Sequence, residues 1–170
     1  MTDIFSKAKR SEVMARIRSR DTNPEKAVRS LLHGMGYRFR LHRRDLPGTP
    51  DIVLPRYRTV VFVHGCFWHS HKGCKYAYQP KSRTEFWKRK LQLNVERDQI
   101  VESELTEAGW NVGIIWECEL TDVARVKEKL ALILDALAPK GSPVGCGNTT
   151  ENGAKQRRTT NHISARKSTI

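Results

Sequence analysis

Residues 50–55, "PDIVLP", and residues 58–65, "RTVVFVHG", are apolar, β-branched runs punctuated by Pro and Gly. Runs of that composition form buried strands. They read as adjacent strands, and the rest of the chain has to be arranged around them. "WNVGIIWE" is another short buried strand, whereas "YRFRLH" alternates and suggests a half-exposed one. Three helices accompany them. In "DTNPEKAVRSLLHGMG" Asn23 can cap, Pro24 fits the first turn, and Gly34 or Gly36 ends the helix. Ala27, Leu31 and Leu32 supply its buried face. "RTEFWKRKLQLNVERDQIVESELTEAG" is one long helix with Phe86, Leu93, Ile100, Val101 and Leu105 at helical spacing. "TDVARVKEKLALILDALA" is a closing amphipathic helix capped by Thr121. Helices on both sides of a short mixed sheet make an α/β domain.

A chain of 170 residues suits one such domain. No apolar run approaches the roughly 20 residues a membrane helix needs, and "MTDIFSKAKR" has no hydrophobic signal core. An intracellular, soluble globular protein is expected. Its net charge is +13, and the excess is uneven: through Arg44 there are twelve basic residues against four acidic ones. A field of that sign attracts polyanions and releases their counterions on contact. The plain alternative is a solvated surface; a membrane surface fits less well, because no strongly apolar helix face accompanies the charge. Nucleic acid is the expected partner. Residues 1–20 read as a basic DNA-binding arm or helix with a thin apolar face (Val13, Ile17), residues 21–138 as the folded domain. Residues 139–170, rich in Gly, Ser, Thr, Asn and basic side chains, read as a disordered cationic tail.

The loop "VHGCFWHSHKGC", residues 63–74, carries three histidines, two cysteines and two adjacent aromatics. Cysteines inside a cell argue against structural disulfides, and Cys146 lies in the tail. Cys66, His71 and Cys74 form C-x4-H-x2-C, and Cys118 follows the strand "GIIWE". Thiolates and imidazole in that number suit closed, tetrahedral, structural zinc; buried reduced cysteines with an incidental histidine are the alternative. A closed zinc site performs no chemistry, which leaves His64 and His69 unemployed. With Asp51 they suggest a second centre, in which a strand-end carboxylate holds Mg²⁺ and histidines move protons or stabilise phosphate charge. Of Phe67 and Trp68, one is expected to pack and the other to stay exposed and stack on something planar, as the wedges of DNA-deforming proteins do. Trp87 can join them or simply pack its helix.

In their order and spacing, "DTNPE", "PGTPDIV", "VFVHGCFWH", "FWKRKLQLNVERD" and "GWNVGIIWECEL" closely resemble the very-short-patch repair (Vsr) endonucleases, from about Lys7 to Leu137. The resemblance implies a mixed β-sheet similar to that of type II restriction endonucleases, flanked by helices. It implies nicking of one DNA strand 5′ to the thymine of a T·G mismatch left by deamination of 5-methylcytosine. Asp51 would bind catalytic Mg²⁺ with the backbone carbonyl of Val63. His69 would be the general base, oriented by Asp98; His64 would assist at the scissile phosphate, and Glu25 would act through metal-bound water. Cys66, His71, Cys74 and Cys118 would hold structural Zn²⁺. Phe67, Trp68 and Trp87 would intercalate, with Met14 approaching from the other groove and Lys90 and Asn94 contacting DNA. The acidic-x-lysine pair of restriction nucleases is absent, Phe62 and His64 standing on the corresponding strand; the Vsr family shares that departure. A monomer in the bacterial cytoplasm is expected, at the nucleoid, with other mismatch-repair proteins as candidate partners. Two rival readings stay open: a non-enzymatic, zinc-stabilised DNA-binding protein, and a sequence-specific nuclease indifferent to mismatches.

Overall fold

A computed structural model of the chain describes residues 20–135 together with Ser6, Ala8, Lys9 and Glu12. The β-branched runs pair as their composition demands. Strand β2 (Ile52–Leu54) runs antiparallel to β3 (Thr59–His64), with Val53 opposite Val60. A 3-10 turn at Pro55–Tyr57 joins them, and its last residue leads to Arg58 in the left-handed region (φ +43°). On the other side of β3, strand β4 (Asn111–Trp116) is parallel, with His64 opposite Trp116. A parallel neighbour needs a crossover of a dozen or more residues, and helix α2 (Thr84–Glu107) supplies it. A short strand β1 (Arg40–Leu41) completes the sheet, whose order is β1-β2-β3-β4. "YRFRLH" therefore contributes only two residues to the ladder.

Helices α1 (Asn23–Gly34) and α3 (Val123–Asp135) share a core. Val28 and Leu32 of α1 and Val126, Leu130 and Leu134 of α3 pack with Ile52, Leu54, Val61 and Ile115 from the sheet. A second, smaller cluster joins Val53 and Val60 to Leu105 of α2, flanked by Phe62, Val101 and Val112. Alternate residues of a strand point to opposite faces, so neighbouring Ile52 and Val53, or Val60 and Val61, serve different cores. Gly113 lets α3 come close, since a Cβ there would stand 2.8 Å from Ile133 Cγ2.

The helix ends differ from expectation in instructive ways. Thr22, not Asn23, caps α1: its hydroxyl accepts from the Glu25 amide while the Glu25 carboxylate reaches back to the Thr22 amide, a reciprocal capping box. Ala27 is exposed; Glu25, Val28 and Leu32 form the buried face. At α3, Asp122 Oδ1 accepts from the Arg125 amide, whereas the Thr121 hydroxyl donates to the Cys118 carbonyl. The largest correction concerns α2. Phe86, Leu93 and Ile100 are 45%, 54% and 59% exposed and Leu91 is buried instead, whereas Leu105 is buried and Val101 packs beside it as expected. Two seven-residue series run along this helix, 86/93/100 and 91/98/105, and the second faces inward because it brings Asp98 against the loop after β3.

The apolar arm residues Val13 and Ile17, the candidate contact Met14 and the tail lie outside the described residues.

Candidate active site

The end of β3 is where the sheet meets its polar neighbours. A cleft of about 860 Å³ opens there, with Glu25, Asp51, His64, Trp68, His69 and Asp98 among its walls. Asp51 comes from the turn before β2, and its Oδ2 accepts from the Val63 amide at 2.8 Å. That bond pins the carboxylate beside β3. Burial raises the Asp51 carboxyl above the usual carboxylate range; the Val63 amide opposes the shift and the nearby charge of Glu25 reinforces it. A desolvated carboxylate beside another acid is an environment a hard divalent cation relieves, because it neutralises the repulsion and replaces lost hydration. The donor set therefore fits such an ion.

His69 sits on tight turns after β3, its amide donating to the Gly65 carbonyl. Its Nδ1 lies 2.5 Å from Asp98 Oδ2 on α2. An ionised carboxylate can only accept, so Nδ1 carries a proton, and in the neutral ring the lone pair is left on Nε2. Burial by itself would raise the Asp98 carboxyl, but the His69 hydrogen bond and the charges of His69, His64 and Arg97 outweigh it and hold the group below its ordinary value. His64 is buried, and burial followed by the proximity of His69 lowers it to about 4. Burial thus disfavours the charged form of this ring. A base with its tautomer set by a carboxylate, beside a buried imidazole and a buried acid, can take a proton from water at a bound phosphate.

A second cluster lies in the same loop. Cys66, His71, Cys74 and Cys118 bring one ligand atom each to within 4.8 Å of one another, and Cys66, Cys74 and Cys118 are free thiols. His71 Nδ1 is 3.6 Å from Cys66 Sγ and 3.3 Å from Cys118 Sγ. Tetrahedral zinc at its usual bond lengths separates sulfur and nitrogen ligands by about 3.6 Å, so the cluster has the dimensions that ion requires. Burial pushes the Cys66 thiol up to about 12; a thiolate at that position calls for a cation beside it.

The aromatics pack on each other. Phe67 meets Trp68 and Trp87 edge-on, with centroids 5.0 Å and 5.4 Å away, and Lys90 Nζ stands 5.6 Å from the Trp68 ring. The expected split between one packed and one exposed ring is not found: Phe67 and Trp68 are both half-buried, as is Trp87. Trp68 lines the cleft, whereas Phe67 and Trp87 line a neighbouring cavity of about 440 Å³.

The family profile described as DNA mismatch endonuclease Vsr matches residues 2–75. A type II nicking enzyme of Xanthomonas oryzae pv. oryzae is 55% identical over 135 residues, covering 79% of this chain and 98% of that protein. The DNA mismatch endonuclease Vsr of Escherichia coli K12 is 50% identical over 130 residues, covering 76% and 80% respectively. A type II nicking enzyme of Neisseria meningitidis is 48% identical over 130 residues, covering 76% and 92%. The chain belongs to the Vsr family.

Within this Vsr fold, the surroundings of Glu25 escaped sequence reasoning. Its Oε1 accepts from the Thr22 amide and hydroxyl, and its Oε2 from the Asp21 amide and from Arg29 at 2.6 Å. Arg29 also bonds Asp21 Oδ1 at 2.5 Å and His42 Nε2 at 3.0 Å. A guanidinium can only donate, so His42 accepts there. Asp21, Glu25 and His42 come close enough to hold a metal ion, but a guanidinium already provides the cation among them. The T-x-x-E spacing was the available signal; the partners Arg29 and His42, thirteen residues apart, left none. Asn94 is likewise occupied, donating to the Trp68 carbonyl at 3.0 Å.

Proposed function

We propose that this Vsr protein nicks one strand of duplex DNA on the 5′ side of the thymine in a T·G mismatch, where 5-methylcytosine has deaminated, and so initiates very-short-patch repair. The observation that carries the reading is the His69–Asp98 pair at 2.5 Å in the same cleft as buried Asp51. A protein that only binds DNA has no use for a base oriented by a carboxylate beside a desolvated acid. The sequence motifs and the mixed sheet flanked by helices favour a restriction-endonuclease-like domain over residues 21–138, with residues 1–20 as a basic DNA-binding arm and residues 139–170 as an accessory basic tail.

In this mechanism basic side chains grip phosphates and give affinity without sequence. Phe67, Trp68 and Trp87, backed by Lys90, enter the stack beside the weakly paired T·G step, with Met14 reaching from the opposite groove. The distortion seats the scissile phosphate at the cleft. His69 Nε2 takes a proton from the attacking water, and Asp98 stabilises the imidazolium that results. His64, its charged form disfavoured by burial, orients a non-bridging phosphate oxygen. The water oxygen bonds to phosphorus as the P–O3′ bond breaks, and the departing O3′ takes up a proton from solvent, leaving a 3′-hydroxyl and a 5′-phosphate. Asp51, with the Val63 carbonyl, would hold Mg²⁺, and Glu25 would reach it through water; when bound, that ion polarises the phosphoryl group and steadies the leaving oxygen. Cys66, His71, Cys74 and Cys118 would hold Zn²⁺ as a structural staple. The protein acts as a monomer in the bacterial cytoplasm, at the nucleoid, and other mismatch-repair proteins are its candidate partners.

The test is nicking of matched T·A and mismatched T·G duplexes with Mg²⁺ and with chelator. Only the mismatched duplex with Mg²⁺ is expected to be cut, on one strand. His69→Ala should be ~10²–10⁴-fold slower, as loss of a general base typically is, while still binding the mismatch. Ordinary turnover by that variant would falsify the mechanism, and cutting of both strands of a paired duplex would make this a conventional nuclease.

A further inference from the structure

Strands β3 and β4 end in the same spelling. β3 closes on His64 and continues through Gly65 to Cys66; β4 closes on Trp116 and continues through Glu117 to Cys118. The strands are parallel and in a register that sets His64 beside Trp116, so ring adjoins ring and, two residues on, both thiols enter one cluster. A run of four rings results. His69 stacks on His64, centroids 3.8 Å apart and planes within 7°. His64 meets Trp116 at 5.3 Å and 75°, edge to face. Trp116 stacks on His71 at 4.0 Å and 3°. One end of the run is tied to Asp98, the other to the thiols of Cys66 and Cys118. Trp116 is itself anchored, because its amide donates to Glu119 Oε2 at 2.9 Å and Lys129 holds that carboxylate.

We propose that Trp116 is a positioning residue for the nicking reaction: its indole sets the plane of His64, and through it of His69, and passes to that pair the orientation the thiol cluster imposes on His71. The inference rests on the function proposed above and adds to it a residue that makes no contact with the reacting atoms. The physical reason lies in the imidazole torsion. Rotation of a histidine ring about χ2 is broad and has no sharp staggered wells, so packing decides the plane. Around His64 the packing is aromatic: His69 covers one face, Trp116 bears on the ring, and Phe62 leans against it at 5.9 Å and 49°. Without the indole, His64 gains room to turn and His69 loses the surface it stacks on. The structural cluster and the cleft thus share one mechanical element.

Trp116→Leu keeps apolar bulk and removes the flat faces. Zinc-loaded Trp116→Leu is expected to lose kcat on a T·G duplex by roughly ten- to a hundredfold, the cost of a small misplacement of catalytic groups, at unchanged KM. The NOEs between His64 and His69 ring protons that stacking demands should disappear with it. Trp116→Phe, which keeps a planar ring, should restore both. His71→Cys retains four metal ligands but removes the ring on the far face of the indole; it should reproduce the loss with zinc still bound, and it replaces Trp116→Leu if that variant does not fold. Turnover within about threefold of wild type, or persistent His64–His69 NOEs, in either variant overturns the inference. His69→Ala separates the two levels. If it is inactive while the stacking variants are not, the function stands and only the role of Trp116 falls. If it turns over normally, the general-base role of His69 falls; if the wild type itself leaves the T·G duplex uncut, the function falls, and the NOEs still decide whether Trp116 orients the rings.

Discussion

His69 and His71 are two residues apart in one loop and belong to one run of rings, yet their polar partners differ. His69 meets a carboxylate on α2 and stacks on a buried imidazole; His71 faces thiols and stacks on an indole. One cluster keeps groups of different protonation habits side by side in an open cleft. The other gathers three thiols and an imidazole at coordinating distance. The comparison teaches that residue type assigns a histidine no role; the element packed against it does. Helix α2 reaches His69 with Asp98, while the end of β4 reaches His71 with Cys118.

If that division is right, damage on the two sides should look different. The largest effect is expected from Cys118→Ser, which should lose bound zinc and several kcal/mol of stability together, since structural metal binding is folding free energy. Metal analysis and thermal melting check it, and a zinc-free protein of full stability would erase the distinction. On the other side, Asp51→Asn should cut nicking on the order of 10³-fold or more without lowering the melting temperature. The amide side chain still accepts from Val63, and a buried charge is gone. A variant that melts early would make Asp51 a structural residue too. Asp98→Asn should slow kcat by about 10²-fold, because an amide no longer stabilises the imidazolium of His69, with zinc content unchanged. The smallest effect tests which way α2 faces. Leu91→Ala should cost about 2 kcal/mol, at the low end for a buried leucine, and Leu93→Ala should stay within about 0.5 kcal/mol. The reverse ranking in a denaturant melt would turn the helix over.

The strands at 52–54 and 59–64 were legible because continuous β-branched runs punctuated by Pro and Gly have few other uses, and the one at 111–116 because Val112, Ile114 and Ile115 make a short apolar run. So was the grouping of Cys66, His71, Cys74 and Cys118, since thiols and imidazole so close in a loop suggest a common ion. The face of α2 was legible only at its C-terminal end, where Val101 and Leu105 pack as expected. Two seven-residue series run along the helix, and the one that wins, 91/98/105, carries Asp98 at its centre. Polar groups with fixed partners outweighed a cleaner apolar stripe, and the stripe at Phe86, Leu93 and Ile100 faces outward. Thr22 was passed over for Asn23 because both are good caps, and only the Glu25 side chain reaching back discriminates them.

By itself the sequence determined the sheet, the helices around it and the chemical alphabet of the loop, because these depend on local periodicity and on what each side chain can donate, accept or ligate. Tertiary structure alone decided that Trp116 stands between His64 and His71 and that Arg29 fills the space among Asp21, Glu25 and His42. Both arrangements join residues distant in the chain through strand register and helix packing, and neither leaves a period in the sequence from which it could be read.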